Sequence, residues 1–158
     1  MKNSHLTLIV SLILALVVLG LTACGAQSTP SSSAEGVDLG EQTQQVPVEG
    51  GGSYTDVSAV GLAAMLDDKD FPLINVHIPY EGEIEGTDLF VPFDEIEQNL
   101  DKLPADKDAQ IVLYCRSGSM SGKAARELVS LGFTDVWNVD GGMIAWKQAG
   151  YPLLDTQQ

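Results

Sequence analysis

The strongest constraint on the fold is an alternation of short apolar segments with segments of helical pattern. The apolar segments have strand length and are set off by proline, glycine or acidic residues, as buried strands are. They comprise residues 54–57, 73–76, 89–91, 111–114 and 136–139. Helical patterns follow four of them, at residues 58–66, 94–103, 121–131 and 143–149. This order predicts an α/β domain whose parallel sheet is covered by helices on both faces.

The N-terminal segment, residues 1–23, is typical of an export signal. Lys2 supplies a positive start, residues 6–21 are almost wholly apolar, and two small residues precede Cys24. This ending resembles the cleavage box of bacterial lipoproteins, in which the cysteine becomes the lipidated first residue. The alternative is an uncleaved transmembrane anchor, since about 18 apolar residues can span a bilayer. Both interpretations place the rest of the chain in the bacterial cell envelope, on the extracytoplasmic side, and lipidation at Cys24 is favoured.

Residues 24–53 are predicted to be a flexible linker between the lipid anchor and the domain. They are rich in Ser, Gly and Gln and lack a sustained hydrophobic period, so they bury too little apolar surface to become ordered. Residues 54–158 are long enough for one domain with a single core. The formal charge of the chain is −14, and loss of Lys2 with the signal makes it more negative still. This charge argues against nucleic acid or anionic lipid as a partner.

The use of cysteine points to a reactive thiol. The chain has two cysteines, so lipidation of Cys24 leaves Cys115 without a partner for an intramolecular disulfide. A single cysteine left over in an exported protein is a candidate reactive thiol. A metal site is not expected, because the mature chain has one histidine, His77, and no second thiol to join it.

The position of Cys115 favours a nucleophile over a cysteine that merely ends a strand. It lies between the strand at 111–114 and the helix at 121–131, at the sheet edge where α/β proteins bind ligands. The small residues at 117–119 allow backbone N–H groups to point at an anion, and the helix start adds partial positive charge. Such surroundings stabilise a thiolate, which is the nucleophilic form of sulfur. We therefore expect an ionised thiol that solvent can reach.

Three segments resemble the rhodanese family of sulfurtransferases. Residues 115–121, Cys-Arg-Ser-Gly-Ser-Met-Ser, resemble the active-site loop of that family. Residues 73–77, Leu-Ile-Asn-Val-His, resemble its Asp-Val-Arg segment, and residues 140–152 resemble its C-terminal signature, GG…AW…GYP. The resemblance covers essentially the whole domain and implies a rhodanese-like α/β fold with a parallel sheet of about five strands.

The resemblance also implies an enzyme of the thiosulfate or persulfide sulfurtransferase type. Cys115 would take a sulfane sulfur from a small donor as a persulfide and pass it to a thiol or to cyanide. The charged sulfur would be surrounded by the backbone N–H groups of Arg116, Ser117, Gly118, Ser119, Met120 and Ser121. No cofactor is implied beyond this covalent intermediate, and a redox protein is a candidate partner that keeps the thiol reduced.

Three positions depart from the family pattern, and each departure removes charge. Met120 stands where many single-domain members have a second arginine, while Asn75 and His77 stand where the family has aspartate and arginine. Asn75 and His77 would support the site from the end of the neighbouring strand, and Arg116 is the one fixed cation of the loop. Thiosulfate, a dianion, is therefore expected to be a poor donor. Either a polysulfide or low-molecular-weight persulfide replaces it, or the domain is a catalytically weak sulfur-binding or protein-interaction module.

Other functions of a loop cysteine fit the sequence less well. Cysteine phosphatases and arsenate reductases need an arginine after five intervening residues, to clamp the oxyanion in a bidentate manner. Ser121 occupies that position here and cannot replace arginine. The acidic segment at residues 81–88 is predicted to be a solvated rim.

Overall fold

The computed structural model describes residues 37–155, which contain a mixed sheet of six strands with helices on both faces. The strands are β1 Thr43–Pro47, β2 Ser53–Val57, β3 Leu73–Asn75, β4 Leu89–Phe90, β5 Ile111–Tyr114 and β6 Val136–Val139. The α-helices are α1 Ala59–Leu66, α2 Ser119–Ser130 and α3 Gly142–Gln148, with 3-10 segments at Leu39–Gln42 and Glu97–Lys102. The strand order is β1-β2-β6-β5-β3-β4. Strands β2 to β6 pair in parallel, which confirms the predicted rhodanese-like sheet.

The sixth strand lies inside the segment that was expected to be a flexible linker. β1 pairs antiparallel with β2, and Val46 and Val48 pack against the core. The ladder hydrogen bonds and this apolar contact offset the entropy cost of ordering the segment. The prediction of a flexible linker at 24–53 is therefore wrong from the 3-10 segment Leu39–Gln42 onward. The folded unit begins before residue 54. Residues 1–36, including the signal and Cys24, lie outside the described residues.

The core is divided between the two faces of the sheet by the alternation of side chains along each strand. In β5, Ile111 and Leu113 belong to the cluster that α2 covers, while Val112 and Tyr114 belong to the cluster that α1 and α3 cover. All four side chains are buried, as is typical of a central parallel strand with both faces covered.

The helical predictions differ from the structure at two places. α2 begins two residues before the predicted start at 121, directly after Gly118, whose backbone is left-handed with φ 82°. The helix predicted for residues 94–103 is a 3-10 segment, and non-helical backbone at Asn99 interrupts it. Within residues 37–155, no helix has the length and apolar character needed to cross a membrane.

Candidate active site

Cys115 is the first residue after β5, and its side chain is buried. The residue is 1% exposed and belongs to the core cluster under α2. The expectation of a solvent-reachable thiol is wrong for this conformation, because the alternation of β5 continues through the cysteine. Side chains at 111, 113 and 115 all join the same cluster. The thiol thus lies on the core side of the connection between strand and helix.

The loop after Cys115 faces solvent even though the thiol does not. Arg116, Ser117 and Ser119 are exposed, whereas Gly118 and Met120 are half-buried. The sulfur is therefore buried next to a segment whose other residues are mostly exposed.

One hydroxyl bonds to the sulfur, and three free amides lie at the start of α2. Ser121 is fully buried, and its Oγ donates a hydrogen bond to Sγ of Cys115 over 3.4 Å. The backbone N–H groups of Ser119, Met120 and Ser121 bond to no acceptor among residues 37–155. They are the unpaired donors that begin every α-helix. The amides implied by the resemblance are thus free donors in this structure, and they are not bonded to the thiol.

The turn at residues 140–142 packs directly against the cysteine loop. Gly142 adopts φ 54°, and a Cβ atom there would lie 2.2 Å from the carbonyl oxygen of Cys115 and 2.9 Å from N of Gly118. The N–H of Met143 donates to the same carbonyl oxygen over 2.9 Å. A side chain at 142 would displace the loop, so the glycine is a requirement of close backbone packing. The two segments that resemble family motifs are therefore one packed unit.

The loop cation is paired with an acid that sequence reasoning had placed on a solvated rim. Oε2 of Glu81 lies 3.4 Å from Nε of Arg116 and 3.5 Å from Nε2 of His77. The one signal for these contacts in the sequence is the position of Glu81, four residues after His77. The pairing with Arg116 spans 35 residues of sequence, so no local pattern predicts it.

The ring of His77 connects this pair to the loop. Nδ1 lies 3.3 Å from Sδ of Met120. Nε2 is buried and has no hydrogen-bond partner within residues 37–155. The Glu81 oxygen is close to Nε2 but is not aligned for a hydrogen bond. The structure thus brings His77 and Met120 together, as the expected support from the neighbouring strand requires.

Asn75 fixes the backbone on which Glu81 lies. It is fully buried, and its Nδ2 donates to the carbonyl oxygen of Gly82 over 3.0 Å. Its Oδ1 accepts from the N–H of His77 over 3.0 Å. Because a buried amide has to satisfy both its donor and its acceptor, Asn75 holds the strand end and the acidic segment in one arrangement.

Tyr114 anchors the same segment from the central strand. Its hydroxyl accepts from the N–H of Ile84 over 3.1 Å and lies 2.6 Å from Oγ1 of Thr87. The Thr87 hydroxyl donates to the Ile84 carbonyl, so Tyr114 is the donor to Thr87. Burial raises the pKa of Tyr114 to about 12, which keeps this hydroxyl protonated at physiological pH.

An open cleft of about 240 Å³ adjoins the loop on the side of α3. Its lining residues are Glu81, Arg116, Met143, Ile144, Lys147 and Leu153. It combines two cations and one carboxylate with apolar side chains, so it suits a small organic molecule of low net charge. Among residues 37–155, no group of three or more His, Cys, Asp or Glu side chains could hold a metal ion.

Comparison with known families identifies the domain. Residues 58–149 match the Rhodanese-like domain family, and this match spans more than half of the chain. The chain belongs to the rhodanese-like family. The cysteine loop, the buried Ser121 and the glycine turn all lie within the matched residues.

Two curated relatives and one solved structure are examples of proteins that are similar to this chain. A sulfurtransferase of Allochromatium vinosum is 34% identical over 93 residues, which cover 57% of this chain and 84% of the relative. A tRNA uridine(34) hydroxylase of Escherichia coli is 33% identical over 112 residues, but the chain spans only 31% of its length. The crystal structure of a rhodanese-like domain protein from Staphylococcus aureus has a TM-score of 0.53 and 28% identity, and the match covers 63% of this chain and 98% of that one.

The hydrogen bond from Ser121 predicts a measurable effect on thiol reactivity. In a chain that lacks Cys24, Ser121→Ala is expected to slow alkylation of Cys115 by iodoacetamide at neutral pH by about fivefold, because the thiolate loses one donor. Ser119→Ala is the matched control, since Ser119 is an exposed serine of the same turn. Mass spectrometry over time gives the rates. An unchanged or faster rate in Ser121→Ala, with an unchanged melting temperature, would contradict a role of this hydroxyl in stabilising the thiolate.

Proposed function

We propose that this rhodanese-like domain is a sulfurtransferase in which Cys115 carries the transferred sulfur. The observation that carries the proposal is the hydrogen bond from the buried Ser121 hydroxyl to Sγ of Cys115, at a helix start whose first three N–H groups are unbonded within residues 37–155. Such donors stabilise a negatively charged sulfur more than a neutral thiol. The 34% identity to a sulfurtransferase that shares most of its length with this domain supports the same chemistry.

The transfer consists of two displacements on sulfur. The Cys115 thiolate attacks the outer sulfur of the donor, the sulfur–sulfur bond of the donor breaks, and the leaving group departs with the bonding electron pair. The resulting persulfide on Cys115 then loses its outer sulfur to an acceptor thiolate or to cyanide, and the Cys115 thiolate is regenerated. Electrons balance within each step, so the proposal requires no redox cofactor.

The buried position of Cys115 adds a conformational step. The segment at 116–118 has to move before a donor can reach Sγ, and this movement breaks the 3.0 Å hydrogen bond from the N–H of Ile144 to the carbonyl oxygen of Arg116. Loops that open over active sites commonly do so on microsecond to millisecond time scales. We propose that loop opening precedes each displacement.

The donor is proposed to be a polysulfide or a low-molecular-weight persulfide, with a thiol or cyanide as acceptor. Arg116 is already paired with Glu81, and the half-buried Met120 brings no charge to the loop. A dianion such as thiosulfate therefore finds one cation that is not paired with an acid, Lys147, among the residues that line the cleft.

The domain is further proposed to work in the bacterial cell envelope, tied to the extracytoplasmic side of a membrane by lipid on Cys24. The sequence of residues 1–24 supports this proposal. A thiol in that compartment requires a reductant, so a redox protein is the proposed partner.

Persulfide formation on Cys115 is the direct test of the proposed function. After incubation with polysulfide, the intact mass is expected to rise by one sulfur atom that cyanide removes, and thiosulfate is expected to load far less protein. Cys115→Ala should remove the gain, whereas Cys24→Ala should keep it. If no donor adds sulfur to the wild-type protein, the domain is a sulfur-independent interaction module and the transferase proposal fails.

Lipid attachment has its own test. When the full chain is produced in a bacterium fed labelled palmitate, the label is expected in the protein and should be lost in Cys24→Ser. A membrane-bound, unlabelled protein whose distribution does not change in Cys24→Ser would show an uncleaved transmembrane anchor instead.

A further inference from the structure

We infer that Glu81 determines donor specificity by excluding dianions from the cleft beside the cysteine loop. The inference rests on the proposed sulfur transfer and names the residue that selects among donors. It follows from the position of one carboxylate among the groups that could otherwise bind an anion.

The carboxylate of Glu81 occupies the place where a bound anion would compensate positive charge. A single oxygen, Oε2, lies 3.4 Å from Arg116 and 3.5 Å from His77. The side chain of Arg116 is 59% exposed and that of Glu81 is 43% exposed, so both remain in contact with the cleft. An incoming dianion would have to displace Glu81 or share these groups with it, and like charges at such distances repel.

The backbone around Glu81 keeps the carboxylate in this place. Gly82 is bonded to the buried amide of Asn75, and Glu83 forms two backbone hydrogen bonds with Leu154, of 2.9 and 2.7 Å. These contacts fix the chain immediately after Glu81. The acidic side chain is thus presented to the loop by the fold.

The rest of the cleft suits donors of low charge. Met143, Ile144 and Leu153 supply apolar surface, and Lys147 adds a second cation. Together with Arg116 and Glu81, these residues leave a net charge of about one positive unit. Neutral or singly charged organic persulfides match this combination, because their carbon atoms can contact the apolar side chains.

The effect of Glu81 on donor specificity can be measured separately from any effect on the stability of the fold. Ion pairs as exposed as this one contribute little to the free energy of unfolding. Glu81→Gln keeps the shape of the side chain and removes its charge, so the variant should fold as the wild type does. Glu85→Gln is the matched control, because Glu85 is an exposed residue of the same acidic segment and makes the same change in net charge.

The experiment compares two donors that differ by one charge. Thiosulfate is a dianion, and methanethiosulfonate replaces one oxyanion by a methyl group; attack by Cys115 on the outer sulfur releases sulfite or methanesulfinate. At low ionic strength, Glu81→Gln should raise kcat/KM for thiosulfate about tenfold and for methanethiosulfonate about threefold, because the repulsion from one unit charge doubles when the charge of the donor doubles. Both gains should shrink at high salt. Glu85→Gln should change neither value by more than about twofold.

Each outcome of this experiment supports or overturns the inference about Glu81. A threefold change in the ratio of the two kcat/KM values, in Glu81→Gln alone, supports the inference. An unchanged ratio in an active enzyme overturns it and leaves the proposed transfer standing. If neither polysulfide nor a low-molecular-weight persulfide loads sulfur onto the wild-type protein, the transfer proposal fails and this inference fails with it.

Discussion

The close contact between the glycine turn and the cysteine loop is the constraint on which the site depends. The carbonyl oxygen of Cys115 accepts from Met143, and Gly142 leaves no room for a Cβ atom beside that oxygen. The contact fixes the backbone at the end of β5, which in turn sets where α2 begins. Three amides at the start of α2 are left free, because Gly118 precedes the helix and has no side chain to cap it. A displaced turn would move the sulfur and its donors relative to each other.

The charges around the loop are arranged differently from those of a site built for strongly anionic donors. Arg116 is paired with Glu81, Met120 contacts His77, and Asn75 is used entirely in backbone hydrogen bonds. The result is a buried cysteine that accepts one hydroxyl hydrogen bond, near a cleft whose two cations and one carboxylate leave about one positive charge. Sulfur chemistry tolerates this balance, because the electrophilic atom of a persulfide or polysulfide is a polarizable sulfur and does not require a clamp of cations.

Much of this arrangement is predictable from sequence, because it is encoded locally. Strand length, helical period and the glycine after the cysteine all lie within short segments, and they predict the parallel sheet and the hinge at Cys115. β1 is not predictable from the sequence, because its residues are mostly polar and become ordered by pairing with β2. The contact of Glu81 with Arg116 joins distant segments, so composition suggests only a solvated rim. The burial of Cys115 follows from the alternation of Ile111 and Leu113, which is a local signal in the sequence.

The central claim is that the start of α2 stabilises a charged sulfur on Cys115, and a crystal structure of the persulfidated domain tests it most directly. The account predicts that the outer sulfur lies within hydrogen-bonding distance of at least two of the N–H groups of Ser119, Met120 and Ser121, with the loop displaced from its position over the thiol. An outer sulfur packed among apolar side chains, with those amides bonded to water or to other groups, would contradict the account.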